Sequence, residues 1–192
     1  MEQKKSSKIG KKITFICVGL AVVLTSVFSF VCFDCDRQMH NPLEWQAFSP
    51  SDDRFEVKFP TDPKEDSQEI SVSDKTLEYQ EFKSEDKHAE YSVSYIDFPG
   101  MWKLVGSKKI LAKSFDGLME KEKEVEEILA QEHSSHKGEP SLHYHLKQAG
   151  KTVKGRLVVV GNTIYRVMVT YPETIADSID TESFLDSFQP LR

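Results

Sequence analysis

Along most of this chain apolar and polar residues alternate one by one, the period of half-buried strands. The alternation predicts strands over Trp45–Phe48, Arg54–Phe59, Glu69–Val72, Leu77–Phe82 and His88–Phe98. It predicts four more over Val125–Glu132, Leu142–Gln148, Lys151–Val160 and Thr163–Tyr171. Proline and glycine punctuate them, at Pro50, Pro60 and Pro99-Gly100, and Gly161-Asn162 has the form of a two-residue hairpin turn. Val158–Val160 is a continuous apolar run, as expected of an internal strand covered on both faces. In two places the period lengthens to that of a helix. Leu111, Phe115, Leu118 and Met119 recur at helical spacing between Ser107 and Lys123, with Ser107 the expected N-cap. Asp180–Phe188 has the form of a short capped helix that docks Phe184, Leu185 and Phe188.

A different texture occupies the first forty residues. Five lysines in residues 1–12 precede an uncharged apolar run over residues 13–33. At 1.5 Å per residue such a run is long enough to cross a bilayer as a helix. The lysines set its orientation, which puts the rest of the chain on the extracytoplasmic, or periplasmic, side. The expected organisation is therefore a basic cytoplasmic stretch (1–12), a single-pass membrane anchor (13–33), a polar tether (34–42) and an extracytoplasmic domain (43–192). Cleavage near Ser29, preceded by Val27, is the alternative to an uncleaved anchor. The membrane is thus the first expected partner, through residues 13–33.

Strands, one long helix, more strands and a closing helix predict the α+β class. The expectation is a central, mainly antiparallel sheet with helices packed on its faces, preceded by one N-terminal transmembrane helix. Charged residues make up 29% of the chain, which fits a soluble domain behind a single anchor better than a membrane bundle. The formal charge is −6. Residues 1–12 contribute five lysines and Glu2, so the remainder carries −10. That balance speaks against nucleic acid as a partner. Cys17, Cys32 and Cys35 all precede the domain, so its core is expected to need no disulfide. Cys32 and Cys35 have CxxC spacing without the strand-to-helix context of a redox site.

The stretch Arg54-Phe55-Glu56-Val57-Lys58-Phe59-Pro60 with Pro63 resembles the opening of the PsbP-like family. So do Gly155-Arg156-Leu157, Val160-Gly161-Asn162 with Tyr165, and the closing Phe184-Leu185-Asp186-Ser187-Phe188. The resemblance spans residues 43–190 and implies the PsbP/Mog-like α/β/α sandwich. It also implies an accessory or binding role without catalysis, since the family's members are mostly not enzymes.

Histidines supply the candidate chemistry. His143 and His145 share one face of a predicted strand, and His133 and His136 lie in the segment before it. Brought together, the four imidazoles could hold zinc or copper, with Glu132 or Glu139 as a further ligand. Surface or structural histidines are the simpler reading, and no cofactor is implied. No GxSxG, GxxxxGK[ST], GxGxxG or HExxH pattern occurs. The expected function is a non-catalytic, membrane-tethered binding or accessory domain, monomeric, with a protein partner in the envelope. A metal-binding protein or metal-dependent enzyme using the His133–His145 region is one alternative, and an assembly element of an envelope complex is another. The orientation is testable: protease added to right-side-out membrane vesicles should digest residues 41–192, and protection until lysis would overturn it.

Overall fold

The computed structural model describes residues 45–72, 75–100, 105–121 and 124–191 of the 192-residue chain. The expected basic stretch, membrane anchor and tether lie outside the described residues. Among the described residues, no helix is long and apolar enough to cross a membrane.

Seven strands form one fully antiparallel sheet in the order β3-β4-β5-β9-β8-β7-β6. They are β3 (Lys64–Val72), β4 (Lys75–Glu85), β5 (Glu90–Asp97), β6 (Val125–His136), β7 (Glu139–Gln148), β8 (Lys151–Val160) and β9 (Thr163–Pro172). Three tight turns set the register of its second half. Lys137-Gly138 and Ala149-Gly150 each place two successive residues at positive φ, the requirement of a type I′ hairpin. Gly161 alone takes positive φ in the third turn.

A second sheet of three strands has the order β1-β2-β10: Gln46–Phe48, Phe55–Phe59 and Gln189–Pro190. Its middle strand turns Phe55, Val57 and Phe59 inward, each almost wholly buried. They meet Phe82, Tyr91, Val93, Tyr165 and Val167 from one face of the large sheet, here the aromatic face. Helix α2 (Thr181–Ser187) completes the cover, capped by Asp180, whose side chain accepts from the Ser183 amide at 3.1 Å. Phe184 has no exposed surface and meets Trp45, Phe59 and Tyr91 ring to ring.

On the opposite face lies a single helix, α1 (Ser107–Lys121). It buries Ile110, Leu111 and Phe115 against β7 and β8, where Leu142, Tyr144, Leu146 and Leu157 receive them. Its first helical hydrogen bond runs from Ile110 N to the Gly106 carbonyl at 3.2 Å, so Ser107, the expected N-cap, is the first helical residue.

The expected α+β sandwich with helices on the sheet's faces is corrected by this arrangement. The domain is mostly β, in two sheets, with two α-helices among the described residues. Much of one outer layer is itself a sheet. The reason lies in β2: its alternation identifies a face but not the sheet to which the strand belongs. Strands β3, β4 and β6 also run several residues past their sequence-predicted ends, because their hairpin partners keep pairing where hydrophobic alternation has faded.

If the aromatic face is the principal core, Phe184→Ala should cost about 3–5 kcal/mol of unfolding free energy. A urea titration of the folded domain measures it, and an unchanged midpoint would remove α2 from the core.

Candidate functional site

The register distributes the four sequence-predicted histidines over the sheet without gathering them. His133 pairs with Leu142 and is exposed on the helix side of β6. Glu132, its neighbour, pairs with His143, so His143 and His133 point to opposite faces. His143, His145 and His136 share the aromatic side, but His143 faces Arg156 and His145 faces Lys154 across the β7–β8 pair. Among the described residues no group of three or more His, Cys, Asp or Glu side chains is placed to hold a metal ion.

His136 is buried and has a structural role. Its Nε2 lies 2.7 Å from the Phe188 carbonyl, which can only accept. Its Nδ1 meets a guanidinium nitrogen of Arg156, which can only donate. The ring is therefore the neutral tautomer with its proton on Nε2. Arg156 is itself buried, and donates to the Leu185 carbonyl and to Asp186, each at 3.0 Å. The cluster ties β6 and β8 to the end of α2. Burial holds the His136 pKa below its ordinary 6.5, and the Arg156 charge lowers it further against the opposing pull of the Phe188 carbonyl. His143 and His145 are lowered as well, first by burial and then by Arg156 and by Lys154 respectively.

A cleft of the domain lies on the other face. Helix α1 covers β7 and β8, and a cleft of about 530 Å³ lies beside it over β3, β4, β5 and β9. That volume falls within the roughly 300–1,000 Å³ usual for small-ligand sites. Its floor is ordered in rows by the register. At one end lie Ile70 and Phe98, and next come Gln68, Tyr79, Ile96 and Ile164. A third row, Ser94 and Arg166, continues to Leu157. The α1 wall supplies Lys113, Ser114, Gly117, Leu118 and Lys121, a stripe beside the one the helix buries.

Several details fix this floor. Arg166 donates through Nε to the Tyr144 hydroxyl at 3.0 Å. The Tyr144 ring lies flat against Gly155, where an added Cβ would fall 2.1 Å from Cζ. Ser92 and Ser94 are almost wholly buried, and Ser94 lies at the floor of the cleft. Glu81 is buried beside Ser94 and paired with Lys83 at 3.1 Å. Burial raises the pKa of Tyr79, so its hydroxyl stays protonated while hydrogen-bonded to Ser94. No histidine or cysteine, and one carboxylate, Glu120, lies among the described lining residues.

Sequence reasoning missed this site. Ser92 and Ser94, alternating with Tyr91, Val93 and Tyr95, have the pattern of a solvated strand face. The one available signal was Gly117, a helix-weakening residue inside a predicted helix.

A PsbP-like fold is what these layers define. Cyanobacterial PsbP (CyanoP) from Synechocystis sp. PCC 6803 superposes with a TM-score of 0.50 at 12% identity, over 83% of this chain and 99% of that one. A Pseudomonas aeruginosa protein of unknown function, PA94, matches with a TM-score of 0.37 at 7% identity, over 68% of this chain and 84% of its own. No protein-family profile and no curated protein sequence matches this chain.

The lowered histidines make a pH prediction with a definite sign. Below about 6.5 the unfolded chain takes up imidazole protons that the folded chain refuses. Stability should therefore be full above that pH and fall as pH drops toward the carboxylate range. The urea midpoint should be lower at pH 5 than at pH 7, and less so in His136→Gln, whose amide can donate to Phe188 and accept from Arg156. An equal or higher midpoint at pH 5 would overturn the assignment.

Proposed function

We propose that this protein is a membrane-tethered, extracytoplasmic PsbP-like accessory domain, which binds its ligand in the cleft between α1 and strands β3, β4, β5 and β9. The observation that carries the reading is the unequal cover of the two sheet faces. The aromatic face is covered by a second sheet and α2, whereas the helix face leaves a cleft of about 530 Å³ with a largely apolar floor and convergent polar groups. The lining suits binding more than turnover. It offers hydroxyls, cations and apolar surface, and no nucleophile paired with a base. Support for the tether is the uncharged run over residues 13–33 behind five lysines.

A photo-crosslinking amino acid placed at Leu118 in the full chain tests the reading in cells of the source organism. Irradiation should give a discrete mass adduct from this position and none from Glu56, exposed on the opposite layer. No adduct at Leu118, or equal adducts at both positions, would remove the cleft as the binding site.

A further inference from the structure

The cleft has a direction, and the direction selects a ligand. Successive side chains on one strand face are two residues apart, about 6.8 Å along the strand, so the three rows of the floor span roughly 14 Å. Ile70 and Phe98 occupy one end, Ile96 and Ile164 the middle, and Ser94 with Arg166 the other. Opposite them, Lys113 and Lys121 stand on the α1 wall. The charged lining groups are thus three cations and one carboxylate, Glu120, in a domain that is otherwise strongly acidic. Cations gathered at an apolar slot favour an anion that carries an apolar chain.

Gly117 supplies an independent observation. It lies in the interior of α1, where glycine is less favourable than alanine. Its φ is not positive, and an added Cβ would meet nothing within 4 Å. Neither backbone geometry nor close packing therefore requires glycine there. Gly117 does line the cleft, and any larger side chain would project into it.

Resting on the reading of the cleft as the binding site, we infer that its ligand is an unbranched long-chain carboxylate of the fatty-acid type. The carboxylate lies at the Arg166 end, with Ser94 and Tyr79 as further hydroxyl partners and the α1 lysines as the cations of the facing wall. The chain runs along Ile96 and Ile164 beneath Leu118, toward Ile70 and Phe98. Cationic donors to a carboxylate make charge-assisted hydrogen bonds, stronger than neutral ones, so the head group sets selectivity and the apolar floor supplies affinity.

The test uses the full chain in phosphatidylcholine nanodiscs and a diazirine-bearing decanoate. Matched decanol and decyltrimethylammonium probes serve as the neutral and cationic arms. Photolabelling by the carboxylate probe should saturate, map to α1, β5 and β9, and be competed by plain decanoate. Half-saturation should come at about tenfold lower concentration than for either other arm, the scale expected of one charge-assisted contact. Gly117→Phe should abolish labelling while leaving the melting temperature at or above wild type. Arg166→Gln, and independently the milder Lys113→Gln, should erase the preference for the carboxylate. Equal labelling by all three arms, still blocked by Gly117→Phe, would overturn the carboxylate assignment and leave the cleft a binding site. Labelling indifferent to Gly117→Phe, or absent for every arm, would overturn the inferred ligand. The Leu118 adduct then decides separately whether the cleft binds something else.

Discussion

A seven-stranded sheet has two faces to cover, and the rest of this structure follows from how the chain covers them. Strands lie about 4.8 Å apart, so the sheet is roughly 29 Å wide. An α-helix with its side chains is about 10–12 Å in diameter and covers little more than two strands. The aromatic face receives three strands, α2 and the Glu173–Ser178 turn, which together bury Phe55, Phe59, Tyr91, Phe184 and Phe188. Among the described residues the helix face receives only α1. With α1 seated on β7 and β8, strands β3, β4 and β5 are left without a covering element among the described residues. The cleft is the geometric remainder of that shortfall.

Beyond α1 the helix face is graded in polarity along its strands. Glu81 pairs with Lys83, Ser92 and Ser94 are small and polar, and Arg166 bonds Tyr144. Toward Ile70, Leu77 and Phe98 the polarity fades and partly buried hydrophobic side chains pack against the α1 cluster. A face meant only for solvent would gain nothing from that apolar end. Ser92 and Ser94 also lie one strand from the centre of the sheet, where a larger apolar residue on the helix face would bury more surface.

Local features of the fold were legible in the sequence, and features that depend on the covering of faces were not. Helix α2 could be read because Asp180, Glu182 and the three apolar residues after them fall within nine positions. The β8–β9 hairpin could be read because Gly161 supplies its positive φ. The Lys137-Gly138 and Ala149-Gly150 turns each hold two successive residues at positive φ, with residues less distinctive than Asn-Gly. β2 looked like one more strand of a single sheet, because alternation carries no information about which sheet a strand joins. Polar residues on β5 looked solvated for the same reason. His143 and His145 do share a face, as their spacing requires, but the strand-by-strand register puts Arg156 and Lys154 beside them where a metal site would need further ligands.

Arg156 accounts for why the aromatic face is closed. Burying a guanidinium is costly unless its donors are met, and here the Leu185 carbonyl, Asp186 and the bare nitrogen of His136 meet its two terminal nitrogens, while the buried Nε finds no partner among the described residues. Those partners come from β6 and from the last turn of α2, so removing α2 would strand a charge as well as expose Phe184. His136 in turn fixes the strand that follows α2, through the Phe188 carbonyl. Opening this face would break a charge network and an aromatic core together. The helix face carries no comparable lock. Helix α1 packs on β7 and β8 through apolar side chains, and Gly117 adds no side chain beside the cleft. The proposed ligand site thus lies apart from the groups that lock the aromatic face.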